Sequence, residues 1–185
     1  MGYSYTKFGR FKRFLIRDLP NFFRNIYKFR KALWNHHWWD HYGTLQFLEI
    51  GINDIANGVE KKGIEIEHSR MKKVAKMRRV VEILQNIRED RYFDIVEEEM
   101  GRGLNTTGFE FVPCKDHPGF YELVDSDLEE EKAFQKVYFK RMRELEEQEW
   151  IELWETLKGQ HPSVYDGEGE WDDIFDGSGM RGWWD

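Results

Sequence analysis

Leu45, Leu48, Ile52, Ile55 and Val59 are spaced 3, 4, 3 and 4 residues apart. That spacing places all five on one side of a helix and leaves Glu49, Asn53, Asn57 and Glu60 largely on the others. The stretch must therefore bury one stripe against partners. Asp40 stands where a helix N-cap accepts the first orphan amides, and Lys61, Lys62 and Gly63 suit a C-terminus. The pattern predicts a helix from about Asp40 to about Lys62.

A short connection, Gly63 to His68, leads to Ser69, which is expected to cap a second long helix reaching about Met100. Val74, Met77, Val81 and Leu84 form one row on it, with Val80 and Ile87 beside. A link this short makes the two helices antiparallel neighbours. The first half of the second helix is basic (Arg70, Lys72, Lys73, Lys76, Arg78, Arg79), and its last turn is acidic (Glu97, Glu98, Glu99). Acids at a C-terminus oppose the helix dipole, so they call for a cationic neighbour, and the N-terminal arm is the expected one.

Downstream, Phe109–Val112 and Phe120–Val124 flank a turn containing Asp116, Pro118 and Gly119, which reads as a β-hairpin. Ser126 and Glu129 form a capping box for a last helix over about 127–158. Its face runs through Phe134, Tyr138, Met142 and Leu145, then shifts to Trp150, Leu153, Trp154 and Leu157. Glu144, Glu146, Glu147 and Glu149 read as its solvated side. The fold class that follows is mainly α: a central antiparallel helical hairpin plus a long C-terminal helix, with one small β-hairpin near 109–124. Three regions follow: a basic aromatic N-terminal arm over 1–33, a helical core over 34–158, and an acidic, glycine-rich, aromatic tail over 159–185.

Charge is unevenly distributed. Residues 1–31 carry nine Lys or Arg against the single acid Asp18, although the whole chain has a formal net charge of −7. Cations interleave with Phe8, Phe11, Phe14, Phe22, Phe23 and Tyr27, among other apolar residues, and Pro20 is expected to split the arm, with Asn21 capping its second helix. Such a pattern suits a nucleic-acid surface, an interfacial membrane helix, or an ordinary helix with its aromatics packed inward. The tail holds seven acids against Arg181, yet its aromatics (Tyr165, Trp171, Phe175, Trp183, Trp184) predict docking on the core or on a partner. The Asp172–Gly177 run lacks the ligand pattern of a calcium loop, since Ile174 stands where an oxygen is required.

The candidate chemistry is concentrated in His36-His37-Trp38-Trp39-Asp40-His41. If that segment is helical, His37 and His41 share a face and make a metal pair, with HWWDH resembling the inverted zincin pattern H-x-x-E-H apart from the shorter Asp40. No third ligand follows at a matching spacing. The competing reading makes the tryptophans anchors with the histidines hydrogen-bonded around them. The single cysteine, Cys114, excludes an internal disulfide and fits a reducing cytoplasm. No apolar run approaches a membrane span, and the N-terminal residues are too charged for a signal peptide. No glycine-rich phosphate loop, serine triad or paired-cysteine metal site appears, and no cofactor is implied.

Trp38-Trp39-Asp40 ahead of a helical hairpin, together with Trp183-Trp184-Asp185, resembles a diffuse group of small helical proteins encoded by tailed bacteriophages. The resemblance covers mainly residues 22–100 and the last three. It implies a viral protein in an infected bacterial cytoplasm, aimed at host machinery or host defence, and implies no catalytic residues. The expected function is a binding protein that self-associates, as a homo-oligomer, and captures an anionic partner, a nucleotide-like ligand or nucleic acid. The expected site combines Arg70, Lys73, Arg78 and Arg79 with His37, Trp38, Trp39 and His41. A metal-dependent hydrolase built on the histidine segment, or a module that docks on a host protein, are the alternatives.

Overall fold

A computed structural model of the chain describes residues 7–104, 108–125, 129–161 and 174–183. The chain is mainly helical with one small antiparallel sheet. In order, α1 is Lys7–Arg13, a π-helical turn spans Phe14–Asp18, α2 is Leu19–Asn35, α3 is His41–Lys62, α4 is Glu67–Glu89 and α5 is Tyr92–Met100. Strands β1 (Phe109–Pro113) and β2 (Tyr121–Asp125) follow, then α6 (Glu129–Lys158) and a 3-10 turn at Met180–Gly182.

The core lies along the seam between α3 and α4. Ile52, Ala56 and Val59 of α3 meet Val74, Met77, Val80, Val81, Leu84 and Ile87 of α4, with Leu45 and Leu48 packed at the edge. The helices are antiparallel, because Gln85 and Arg88 reach Glu49 near the start of α3 while Arg78 reaches Asn57 and Glu60 near its end. Ile55, expected inside, is partly exposed, and Ala56 occupies the seam in its place. A straight helix of 3.6 residues per turn drifts away from a strict 3-4 repeat, and the small Ala56 allows close approach.

Two helix boundaries differ from expectation for local reasons. Asp40 caps α3 as predicted, its carboxylate accepting from Tyr42 N–H at 2.9 Å. The second long helix is two: Asp90 adopts a left-handed conformation (φ 51°) and its N–H closes on Asn86 and Ile87 carbonyls, ending α4. Asp tolerates that region better than most residues, and Glu89 bridges Arg88 and Arg91 around the bend. Nor does Pro20 split the arm. The backbone stays right-handed at Arg13, Asp18 and Leu19, and the widened π turn, with Leu19 N–H bonded to Phe14 O, carries the helix past the proline.

α6 lies antiparallel to α4 and α5. Tyr138 donates to Phe93 O at 2.6 Å, Leu153 enters the core, and Arg141 pairs with Glu99 at 2.9 Å. Arg141, rather than the N-terminal arm, thus neutralises the acidic end of α5. The capping position Ser126 lies outside the described residues.

The hairpin has the register Phe109↔Asp125 through Pro113↔Tyr121. The described end of the tail, residues 174–183, docks on the core. Trp183 is buried to 2% exposure and donates its indole N–H to Gly177 O at 2.9 Å. Gly177 (φ 87°) lies against the backbone of Lys72, where a Cβ would come within 2.3 Å of the Lys72 carbonyl oxygen, so this turn requires glycine. Trp183→Ala is expected to cost about 3–5 kcal/mol in chemical denaturation. Truncating Trp154, which is 68% exposed on α6, should cost far less. Equal effects would show that the tail is not part of the core.

Candidate functional site

The residues expected to bind an anion fall into two groups that the fold keeps apart. His37, Trp38, Trp39 and His41 sit at the α2–α3 junction, while Arg70, Lys73, Arg78 and Arg79 lie in the first half of α4. Arg78 bonds Asn53 and Asn57, twelve and sixteen residues beyond His41 along α3. At 1.5 Å per residue that is about 18–24 Å, too far for one nucleotide to touch both.

The α4 cations are, moreover, engaged by the protein itself. Arg70 donates to Gly63 O at 2.9 Å, and Lys73, buried beside the Phe175 ring, pairs with Glu65. Arg78 is held by Asn53, Asn57 and Glu60. Arg79 reaches Glu82 at 3.0 Å, Glu149 at 3.0 Å and Glu152 at 2.8 Å. Hydrogen bonding to Glu152 holds the Arg79 guanidinium well above its ordinary pKa against the opposing effect of burial.

Glu149 is the acceptor at the centre of this group. Its carboxylate receives Arg79, the Asn86 amide at 3.1 Å and 3.2 Å, and the Tyr92 hydroxyl at 2.9 Å. Burial first, and then the hydrogen bond to Glu149, raises the Tyr92 hydroxyl far above its ordinary pKa. Glu149 was expected on the solvated face of the last helix. Sequence offered one signal, its position one turn past Leu145 and one before Leu153, on the inward row.

The cleft where the tail crosses α6 encloses about 360 Å³ and mixes both signs: Lys76 and Lys158 against Glu152, Glu155 and Asp176. Burial raises Asp176, but hydrogen bonds from the Ser178 hydroxyl and N–H outweigh that and leave it lowered. This balance of charges does not select an anion.

The His36–His41 segment is not helical. α2 ends at Asn35 and α3 begins at His41, with a turn between closed by Asp40 N–H to His37 O at 3.0 Å. His37 and His41 therefore do not sit one helical turn apart. His37 stacks on Trp39 with ring centroids 4.9 Å apart, His36 meets Phe47 edge-on, and His41 rests against Tyr42. The Asp40 carboxylate is used as a helix cap. Among the described residues no three His, Cys, Asp or Glu side chains converge for a metal ion, and the hydrolase reading loses its geometric basis.

What remains uncommitted is the arm. Arg10, Lys12, Arg13, Arg24 and Lys31 have no ion-pair or hydrogen-bond partner among the described residues, whereas Arg17 pairs with Asp18 and Lys28 with Asp54. Trp34 and Trp38 are each 87% exposed, and Phe22, Phe23, Tyr27 and Trp39 are exposed beside them. α2 touches α3 through Lys28, Phe29, which stacks on Phe47, and His36. A Cβ on Gly43 would stand 3.0 Å from His36 Nδ1, so the imidazole would have to shift to admit one.

Replacing Glu149 with Ala should cost about 2 kcal/mol or more by stranding the buried Asn86 and Tyr92 donors, with Glu147→Ala, on the open face, near neutral in the same denaturation series. Acid dependence should also report the clamp. Hydrogen bonding to Arg79 lowers Glu152 below its ordinary value of 4.5. A carboxylate lowered in the folded state stabilises above its unfolded pKa, and that stability is lost as pH falls through the lower folded value. Stability should therefore fall as pH drops below about 4.5, and Arg79→Met should flatten that slope; an unchanged slope would show that the clamp does not form.

No protein-family profile, curated protein sequence or solved structure matches this chain.

Proposed function

We propose that the chain is a non-catalytic binding protein that captures an anionic partner with its N-terminal arm. The observation that carries this reading is the contrast between two sets of cations. Those of α4 are spent on Glu65, Glu60, Glu149 and Glu152, whereas five in the arm face solvent among exposed aromatic side chains. A dense, unneutralised positive strip on an otherwise acidic chain steers anions to one end. A small nucleotide held by α4 loses support, because Lys73, Arg78 and Arg79 already hold carboxylates and Arg70 donates to Gly63 O.

Self-association belongs to the same reading. The described hairpin side chains Phe109, Phe111, Phe120, Tyr121, Leu123 and Val124 are exposed, and a lone two-stranded hairpin is marginal in water. A second copy covering this apolar sheet would stabilise both. The resemblance to small helical phage proteins supports a viral interaction protein in the host cytoplasm, acting on host machinery or host defence. No helix of the described residues is long and apolar enough to cross a membrane.

Retention on immobilised heparin tests the arm. The acidic chain should bind at low salt and elute on raising it, and R10Q/K12Q/R13Q should elute markedly earlier while R78Q elutes as wild type. Flow-through at low salt would refute anion capture. In sedimentation, F111E/L123K should lower the mass of the assembly, and an unchanged mass would remove the hairpin from the contact.

A further inference from the structure

The arm displays its apolar face to solvent. On α2 the contact with the body runs through Lys28, Phe29 and the fully buried Ala32, with His36 just beyond the helix end. Phe23 is nine residues from Ala32, which at 100° per residue is about half a turn away. Phe23 is 60% exposed, and Phe22, Ile26, Leu33 and Trp34 fall on the same broad outward arc. Further toward the N-terminus, Phe11, Phe14, Leu15 and Ile16 are exposed as well. An amphipathic helix normally turns such a face inward; here the body takes Phe29, stacked on Phe47, and leaves Phe22, Phe23, Ile26, Leu33 and Trp34 outward.

We propose that the surface covering this face is an anionic lipid bilayer, on which the arm lies flat as an interfacial helix. The inference rests on the reading that the arm captures an anionic partner, and names that partner. Four observations favour lipid. The outward arc includes the aliphatic Ile26 and Leu33, and Leu15 and Ile16 are exposed upstream; a nucleic acid gives these nothing to bury against, whereas the acyl boundary does. Unpaired Arg24 and Lys31 lie on the flank of α2 between the apolar arc and Lys28, at the level where headgroup phosphates would lie. Arg30, within the apolar arc, folds back with its guanidinium 4.0 Å from the Tyr27 ring centroid and bonded to Tyr27 O at 2.6 Å, so its charge stays near the backbone and its stem on the apolar side. Trp34, Trp38 and Trp39 close the helix with the residue type that prefers the interfacial layer. A second copy is a poorer occupant of the same face, because pairing arm on arm would oppose like charges.

Co-flotation of the full chain with phosphatidylcholine vesicles, with and without phosphatidylglycerol, tests this, alongside binding of a single-stranded oligothymidylate in the same buffer. The expected result is at least about tenfold more protein floating with the anionic vesicles, reduced at least about tenfold by F23D/I26D and by added salt. Folding of F23D/I26D is checked by an unchanged thermal transition, since both positions are on the outer face. Oligothymidylate binding without vesicle binding overturns the lipid assignment and leaves anion capture standing; binding to neither overturns both. Equal flotation with neutral vesicles overturns the requirement for anionic lipid. Absence of vesicle binding, with F23D/I26D lowering the mass in sedimentation, means that a second copy covers the face.

Discussion

The inward carboxylate of Glu149 is the constraint on which the rest of the structure depends. α4 has two jobs: one side closes an apolar seam with α3, and the other must hold a helix rich in acid. Arg79, Asn86 and Tyr92 supply donors at the second contact, and Glu149 accepts from all three. A buried acceptor with its partners present is stabilising, and costly to break from one side. Once α6 is set, Leu153 reaches the core, Tyr138 reaches α5, and the end of α6 offers the Thr156 carbonyl to Gly179 N–H, so that Trp183 can seal the seam. The same clamp takes Arg79 into the body, as Glu65 and Glu60 take Lys73 and Arg78, while Arg10, Lys12, Arg13, Arg24 and Lys31 of the arm stay unpaired among the described residues.

Much of this architecture was legible in the residues. Apolar spacing from Leu45 to Val59 and from Val74 to Ile87 defined the helical pair, and the short link between them made it antiparallel. Asp40 was readable as a cap because a carboxylate before an apolar repeat has few other uses. Less legible were features that depend on what lies across a contact. A glutamate run looks solvated, and only the inward row of α6 singles out Glu149. Asp90 ends a helix because its left-handed turn is closed by carbonyls one turn back, and any continuous pattern through Arg88–Arg91 hides that. Ile55 and Ala56 exchanged places because helix phase drifts across several turns.

The candidate site shows the same division. Composition located the basic arm, and it also raised α4 as a basic surface; the two differ in partners, which sequence does not display. His37 and His41 have metal-pair spacing only on a helix, and the helix stops at Asn35. The aromatic content of the arm argued equally for an inward or an outward face. What resolves it is the contact through Lys28, Phe29 and Ala32, which takes Phe29 inward and turns Phe23 away from the body. An arm of this kind gains little stability from its own packing.

The most direct measurement is residue-resolved hydroxyl-radical footprinting of the free protein at a concentration where it is monomeric. Phe22, Phe23 and Trp34 should be modified rapidly, while Tyr92, Tyr138 and Trp183 should be strongly protected, matching a clamped core and an uncovered arm. Protection of Phe22 and Phe23 to the level of Tyr138 would mean that the apolar side of the arm is packed against its own body, and the exposed basic strip would then not be the surface this protein offers to a partner.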